Sequence, residues 1–426
     1  MRVIRFGLSV LLLCMVPFVV VAGGRGEPAR AEGVVDLTLA VSAGTLSADT
    51  LDRALQEFHR QHPNIRVSDV VWVTYSDWPD FFTQMRALIA GGNPPDVIRV
   101  VIEGLPFMIQ QNMALPLNEY LDKYPEYRRD YDDLHPNLQG VWEVDGNIYG
   151  YSWDWNNVAT HINLDMLEAA GLPFPSSDWD MDTFLRYART LTREVDGNKV
   201  YGITIRPNFF TVSAVLYNFG AQFLTDDMTR SALDTPEALE AFQFLYDLVY
   251  TYEVSPRPDP AANYIAQFVT GQVAMAVGTG RSPIRTWIEN DINFDIQFVP
   301  SFRTNQVIFG SGAWPVLRMS RNPEEAFLLS AFLGSVFSQT EILDTAGIPT
   351  RISVMDSQLP TAPPANSMMF RQSADIARSV QAPAEYVELG DIFHRHFSRL
   401  MANEVSVREA VSTMDREFNE VLSRRR

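Results

Sequence analysis

At 426 residues the chain is longer than one ordinary hydrophobic core accommodates, so two lobes are expected. Its 46% apolar and 20% charged residues describe a globular protein rather than a disordered or fibrous one. A net charge of −18 argues against nucleic acid as a partner, and a single cysteine, Cys14, excludes a disulfide framework.

The first residues differ from the rest. Arg2 and Arg5 precede an apolar run, residues 6–22, and a polar stretch, residues 23–32, follows. This is the form of a signal peptide, with Ala29-Arg30-Ala31 offering the small-x-small cleavage pattern, so residues 1–31 are expected to be removed. The run is interrupted by Pro17 and falls short of the roughly 20 residues a spanning helix needs. Cys14 would leave with it, so the exported chain has no thiol nucleophile and no thiolate metal site. Leu13 is bulky where a lipidation signal wants a small residue.

Residues 34–41 (VVDLTLAV) alternate like a strand, and residues 47–62 carry apolar side chains at helical spacing until Pro63 stops them. Residues 65–73 predict a second strand, 77–90 a helix ended by Gly91-Gly92, and 96–102 a third, continuously apolar strand. Such alternation of strand and helix means a parallel sheet. Further on, 147–155 and 158–163 read as paired strands and 182–191 as a helix. Asp196-Gly197-Asn198 makes a hairpin turn before a strand at 200–205. Helices are predicted at 209–219, 236–252 and 263–270, strands at 273–277, 294–299 and 316–318, and a long helix at 322–344 entered by Asn-Pro-Glu-Glu. A helical block, 385–425, closes the chain.

Five segments in this order carry a family resemblance: 54–67 (ALQEFHRQHPNIRV), 87–97 (ALIAGGNPPDV), 146–154 (GNIYGYSWD) with 163–171 (NLDMLEAAG), 322–332 (NPEEAFLLSAF) and 347–351 (GIPTR). Together they resemble the extracellular solute-binding proteins of ATP-driven sugar importers, the group that includes maltose- and multiple-sugar-binding proteins. The resemblance implies an α/β, two-lobed, type II periplasmic-binding fold in which each lobe is a mostly parallel sheet flanked by helices. It implies lobes built from residues 32–148 with 297–340 and 149–296 with 341–426, because more than one strand crosses between them. It also implies a monomer outside the cytoplasm that closes on a carbohydrate by hinge motion and presents it to the membrane permease, using no cofactor, no metal and no catalytic residue.

Loops at the carboxyl ends of parallel strands face the crevice, which makes Ser42 and Glu103 candidates by topology. A sugar needs flat aromatic faces for its apolar C–H side and carboxylates or amides for its hydroxyls. Trp153, Asp154, Trp155 and Asn156, just after the GNIYG segment, combine both. Tyr75 and Trp78, flanking the start of one predicted helix, and Phe209 and Phe210, beginning another, are further aromatic candidates. The resemblance adds Gly312, where the backbone approaches the ligand, and Trp314 as a stacking face. It adds Arg281, which stands where many relatives carry an aromatic, and Arg351 after the GIPT turn, whose fork fits a hydroxyl pair, a uronate or a phosphate. Asp96 precedes its strand and reads as structural.

Two other readings stay open at this level. Arg281 and Arg351 would suit a phosphorylated ligand such as a glycerol phosphate ester. A secreted carbohydrate-active enzyme would show the same aromatic cleft, although adjacent pairs such as Asp132-Asp133 are ordinarily solvated loop residues rather than carboxylates poised across a glycosidic bond.

Overall fold

In the computed structural model, residues 33–42, 46–74, 78–92, 94–257, 263–341 and 347–425 are described, and the expected signal peptide lies outside them. Strand β1 (Val35–Ser42) leads to the helix Ala48–Gln61, whose N-cap Ser47 accepts the Thr50 N–H and so satisfies one of the first-turn donors. Leu51, Ala54, Leu55 and Phe58 form the buried stripe of this helix. Strand β2 (Ile65–Val73) and the short β3 (Val97–Ile98) pair with β1 on either side, both parallel, as the alternation predicts. Asp96, just before β3, accepts the Thr38 N–H at 2.8 Å and the Ser320 hydroxyl at 2.5 Å, a structural role.

β4 (Val100–Val101) continues from β3 after one residue but belongs to a different sheet. That second sheet is built around one long strand. β5 (Glu143–Val144) and β6 (Asn147–Ile148) form a small hairpin, after which β7 (Ser152–Asn163) runs unbroken for 12 residues. The sequence suggests two paired strands here. The structure has one, since no Gly or Pro interrupts 152–163 and the whole stretch finds partners on both edges.

β8 (Arg193–Val195) and β9 (Asn198–Ile205) form the expected hairpin, and β10 (Val273–Thr279) lies parallel to β9 and antiparallel to β7. β11 (Phe294–Gln297), β12 (Val307–Ala313) and β13 (Ile348–Pro349) also run antiparallel to β7, and β14 (Ala377–Ser379) lies parallel to β12. The second sheet is therefore mixed. The glycine-containing β12 was not legible as a strand, whereas 316–318, expected to be one, makes only single bridges, Val316 with Val97 and Leu317 with Ala114.

The predicted helix 322–344 is divided into Pro323–Leu333 and Val336–Glu341, with Gly334 between them. A side chain at Gly334 would meet the Tyr151 Cβ at 2.7 Å, so this corner is reserved for glycine. The closing block is two amphipathic helices, Tyr386–Met401 and Val407–Leu422. One apolar cluster joins β1, its helix and residues 117–153 to Trp314 and the helix Pro323–Leu333. Another joins the middle of β7 to β10, Trp287 and residues 348–374. Among the described residues no helix is long and apolar enough to cross a membrane.

Candidate functional site

The switch of the chain from one sheet to the other falls on Arg99, the residue between β3 and β4. Its backbone N–H still pairs with the Ala40 carbonyl of β1 at 2.8 Å, while Val100 and Val101 pair with β12. The guanidinium is thereby held at the junction. Nη2 donates to Asp154 Oδ2 at 2.7 Å, Nη1 donates to Ser42 Oγ at 3.1 Å, and the cation lies 5.1 Å from the Trp153 ring. With side-chain exposures of 3% and 13%, this is a buried ion pair, which needs good geometry to offset desolvation. Asp154 Oδ1 has no hydrogen-bond partner in the protein.

A cavity of about 300 Å³ opens beside this pair, lined by Arg99, Glu103, Asp154, Asn156, Phe210 and the Gly310–Gly312 stretch of β12, with Trp155, Ser282 and Gly347 at its edges. The glycines make it possible. A Cβ on Gly312 would lie 2.1 Å from Asp154 Oδ1 and 3.1 Å from Arg99 Nη2, so any side chain there would occupy the position of the carboxylate. A Cβ on Gly310 would lie 3.6 Å from the Phe210 ring and 4.0 Å from Glu103 Oε1. Phe210 is aimed here by the helix Phe209–Asn218, whose start is fixed by Asn208 accepting the Thr211 N–H at 2.9 Å.

Glu103 sits in the 3-10 turn Ile102–Gly104 after β4. Its Oε2 is shielded from solvent and has no protein partner, and burial holds the carboxyl up at about 7. A carboxyl kept near neutrality can donate as well as accept a hydrogen bond.

Of the residues singled out from sequence, Glu103, Asp154, Trp155, Asn156, Phe210 and Gly312 line this cavity, and Ser42 stands directly behind it on Arg99. Trp155 contributes only an edge, since it is 1% exposed and its indole N–H donates to the Pro349 carbonyl at 3.0 Å. None of the other described candidates lines it. Trp153 and Trp314 pack on each other at 5.3 Å in the core, because each is surrounded by apolar side chains from β1 and the helix Pro323–Leu333, so neither offers a free face. Phe209 stacks on Phe223 at 4.1 Å in the core, and its neighbour Phe210 reaches the cavity instead. Arg351 is a buried strut. Its Nε donates to the Gly334 carbonyl at 2.7 Å and its Nη1 to the Asp130 carbonyl at 2.6 Å, with Asp133 at 3.3 Å. Arg281 lines a separate, larger pocket of about 670 Å³ with Thr50, Arg53, Arg285 and Gln358, and its Nη1 donates to the Pro363 carbonyl. Tyr75 and the side chain of Trp78 lie outside the described residues.

Sequence reasoning missed Arg99 as a site residue, whereas Asn156 belongs to the WDWN segment it singled out and Phe210 to the aromatic pair it offered with Phe209. The signal for Arg99 was a lone cation inside the apolar run VIRVV, a residue that a buried strand tolerates only with a partner. Asn156, on β7, accepts the Arg281 N–H at 3.0 Å and donates to Ser282 Oγ, tying the cavity rim to the turn after β10.

Residues 44–336 match the family model of bacterial extracellular solute-binding proteins. The chain is 25% identical over 258 residues to an arabinooligosaccharide-binding protein of Halalkalibacterium halodurans, covering 57% of this chain and 53% of that protein. It is 22% identical over 252 residues to a maltotriose-binding protein of Pyrococcus abyssi, covering 58% and 49%. The chain thus spans about half the length of the curated relatives it matches. In three dimensions it resembles a substrate-binding protein of Listeria monocytogenes in complex with cycloalternan, with a TM-score of 0.81 at 22% identity, covering 92% of this chain and 99% of that one. It also resembles a maltose-bound protein of T. maritima at 0.74 and 18% identity, covering 91% and 100%.

Proposed function

The chain belongs to the family of bacterial extracellular solute-binding proteins, and from that premise we propose that it captures a carbohydrate in the Arg99–Asp154–Glu103 cavity and delivers it unaltered to the membrane permease of an ATP-driven importer. The observation that carries this reading is the cavity's composition. Asp154 and Glu103, each with one carboxylate oxygen that lacks a protein partner, line a space that also has Gly310, Gly312 and Phe210 in its walls. Hydroxyls that both donate and accept satisfy such oxygens, and an aromatic face suits the apolar side of a sugar ring. The sugar-binding functions of the arabinooligosaccharide- and maltotriose-binding relatives point the same way.

The lobes are residues 32–148 with 297–340 and 149–296 with 341–426, and they close on the ligand as a hinge, outside the cytoplasm. The packing of Trp314 and the helix Pro323–Leu333 against β1 supports this assignment, since the chain returns to its first sheet after leaving it. A phosphorylated ligand is disfavoured because the Arg351 guanidinium is taken up by backbone carbonyls.

The test is a thermal-shift and calorimetric screen of the full exported chain against mono- and oligosaccharides, polyols and sugar phosphates. A bound sugar at 100 times its dissociation constant adds about 2.7 kcal/mol to stability and is recovered intact. Response to phosphates alone, or conversion of the sugar, would overturn the proposal.

A further inference from the structure

The charges around the cavity do not balance. Among the described residues lining it, Arg99 is the cation and Asp154 and Glu103 are the acids. Arg99 is committed to Asp154, to Ser42 and to the Trp153 ring. Glu103 is left without a counter-charge, its Oε2 buried and unpartnered. Its nearest company is aromatic, since Glu103 Oε1 and the Phe210 ring approach the same point above Gly310, to within 4.0 and 3.6 Å. A carboxylate beside an aromatic ring in a desolvated pocket is the arrangement that recognises an ammonium group, through ion pairing and cation–π attraction together.

Resting on the carbohydrate reading above, we propose that the cavity is built for a sugar carrying a protonated amine, with Glu103 as the counter-charge and Phe210 as the flanking face of that ammonium. A neutral sugar could hydrogen-bond the Glu103 oxygens but would leave the carboxylate's charge without a counter-charge. The raised carboxyl of Glu103 agrees with this, because a buried acid lacking a cation takes up a proton instead. Tyr386, which feels the Glu103 charge, and the groups linked to it in turn do not share that titration. Tyr386, at the start of the helix Tyr386–Met401, and Tyr217 on the helix Phe209–Asn218 are both held protonated by burial. Arg378 on β14 is engaged by Asp226 at 2.7 Å, and Arg99 by Asp154.

Glu103 must ionise to receive an ammonium, so binding releases the proton it holds. The experiment is isothermal titration calorimetry of the full exported chain with matched pairs that differ only in an amine for a hydroxyl: glucosamine and glucose, galactosamine and galactose, and the chitosan and cello-oligosaccharides. The amine of one pair is expected to bind at least tenfold tighter than its hydroxyl counterpart at pH 7. That advantage falls by nearly tenfold per pH unit between pH 7 and pH 5. At pH 6 close to one proton is released per amine bound, read from the dependence of the heat on the buffer, and Glu103→Gln brings the two members of the pair to within about threefold. Neutral sugars binding as tightly as their amines, or amine binding without proton release, would overturn this inference while leaving the carbohydrate reading intact. Binding of no saccharide of either kind would overturn both.

Discussion

Two buried arginines, Arg99 and Arg351, are each less than a tenth exposed and each joins segments far apart in the chain, yet they are used differently. Arg351 gives its guanidinium to the carbonyls of Gly334 and Asp130 and to the Asp133 carboxylate, and its backbone N–H to Gln339 Oε1 at 2.9 Å. Its Nη2 has no hydrogen-bond partner among the described residues but lies 3.9 Å from Asp130 Oδ2, and Arg351 lines neither of the two cavities described above, so it behaves as a brace. Arg99 is held as firmly, but the carboxylate it holds keeps one oxygen unpartnered, and both line a cavity with a second acid, Glu103. The contrast teaches that burial and charge do not mark a binding residue. What marks it is hydrogen-bonding capacity left over in residues that line a cavity.

The contrast breaks most readily at the brace. Arg351→Met should destabilise the fold by about 3–5 kcal/mol in urea unfolding, because the Gly334 and Asp130 carbonyls and Asp133 each lose a charged donor. Among the described residues the Gly334 carbonyl then keeps only Gln339 Nε2, and the Asp133 carboxylate only Ser353. The loss should be the same with or without saturating sugar after correction for binding linkage. A change that weakened binding while sparing stability would instead place Arg351 in the site.

Gly312→Ala tests the other side. Its methyl would overlap the Asp154 carboxylate and push it from Arg99, so unfolding should show a loss of about 1–3 kcal/mol and calorimetry at least a tenfold loss of affinity.

A smaller and more specific effect concerns pH. The Glu103 carboxyl titrates higher in the folded protein, at about 7, than in the unfolded chain, so its contribution to stability is present in full below pH 4.5 and is lost as pH rises through 7. The ligand-free protein should therefore lose on the order of 2 kcal/mol between pH 5 and pH 8 relative to Glu103→Gln, measured by thermal melts of the two side by side. Equal pH profiles would remove Glu103 from the set of uncompensated groups. The smallest effect is expected at Ser42→Ala, which takes one hydrogen bond from Arg99 and should cost about 1 kcal/mol in the same unfolding assay, with the Asp154 contact intact.

The first sheet was legible because its signals are local: alternation in β1, an amphipathic stripe with a Ser47 cap, and a glycine pair after the second helix. The position of the cavity followed from topology and from the WDW segment, and the acids Asp154 and Glu103 were both found that way. What could not be read is how that segment divides. Trp153 and Trp155 alternate on β7 and seem equivalent in sequence, but the register between β7 and β12 slips at Gly312/Ala313, and the two indoles enter different apolar clusters. Arg99 was lost inside an apolar pattern because its justification, Asp154, is 55 residues away. The choice between Phe209 and Phe210 depends on how one helix rotates against Phe223, which is a packing result with no local sign.

The length of β7 has a further consequence, in time rather than in space. Its residues Asp154 and Trp155 pair with Gly312 and Ser311 on one side and with Pro349 and Ile348 on the other, so the strand cannot be completed until nearly 200 residues beyond it are available. Contacts this distant in sequence are slow to form, since the loops that join them must close first. A chain organised around such a strand remains loose until almost all of it has been made, and a loose chain is the form in which a polypeptide is threaded through a membrane pore.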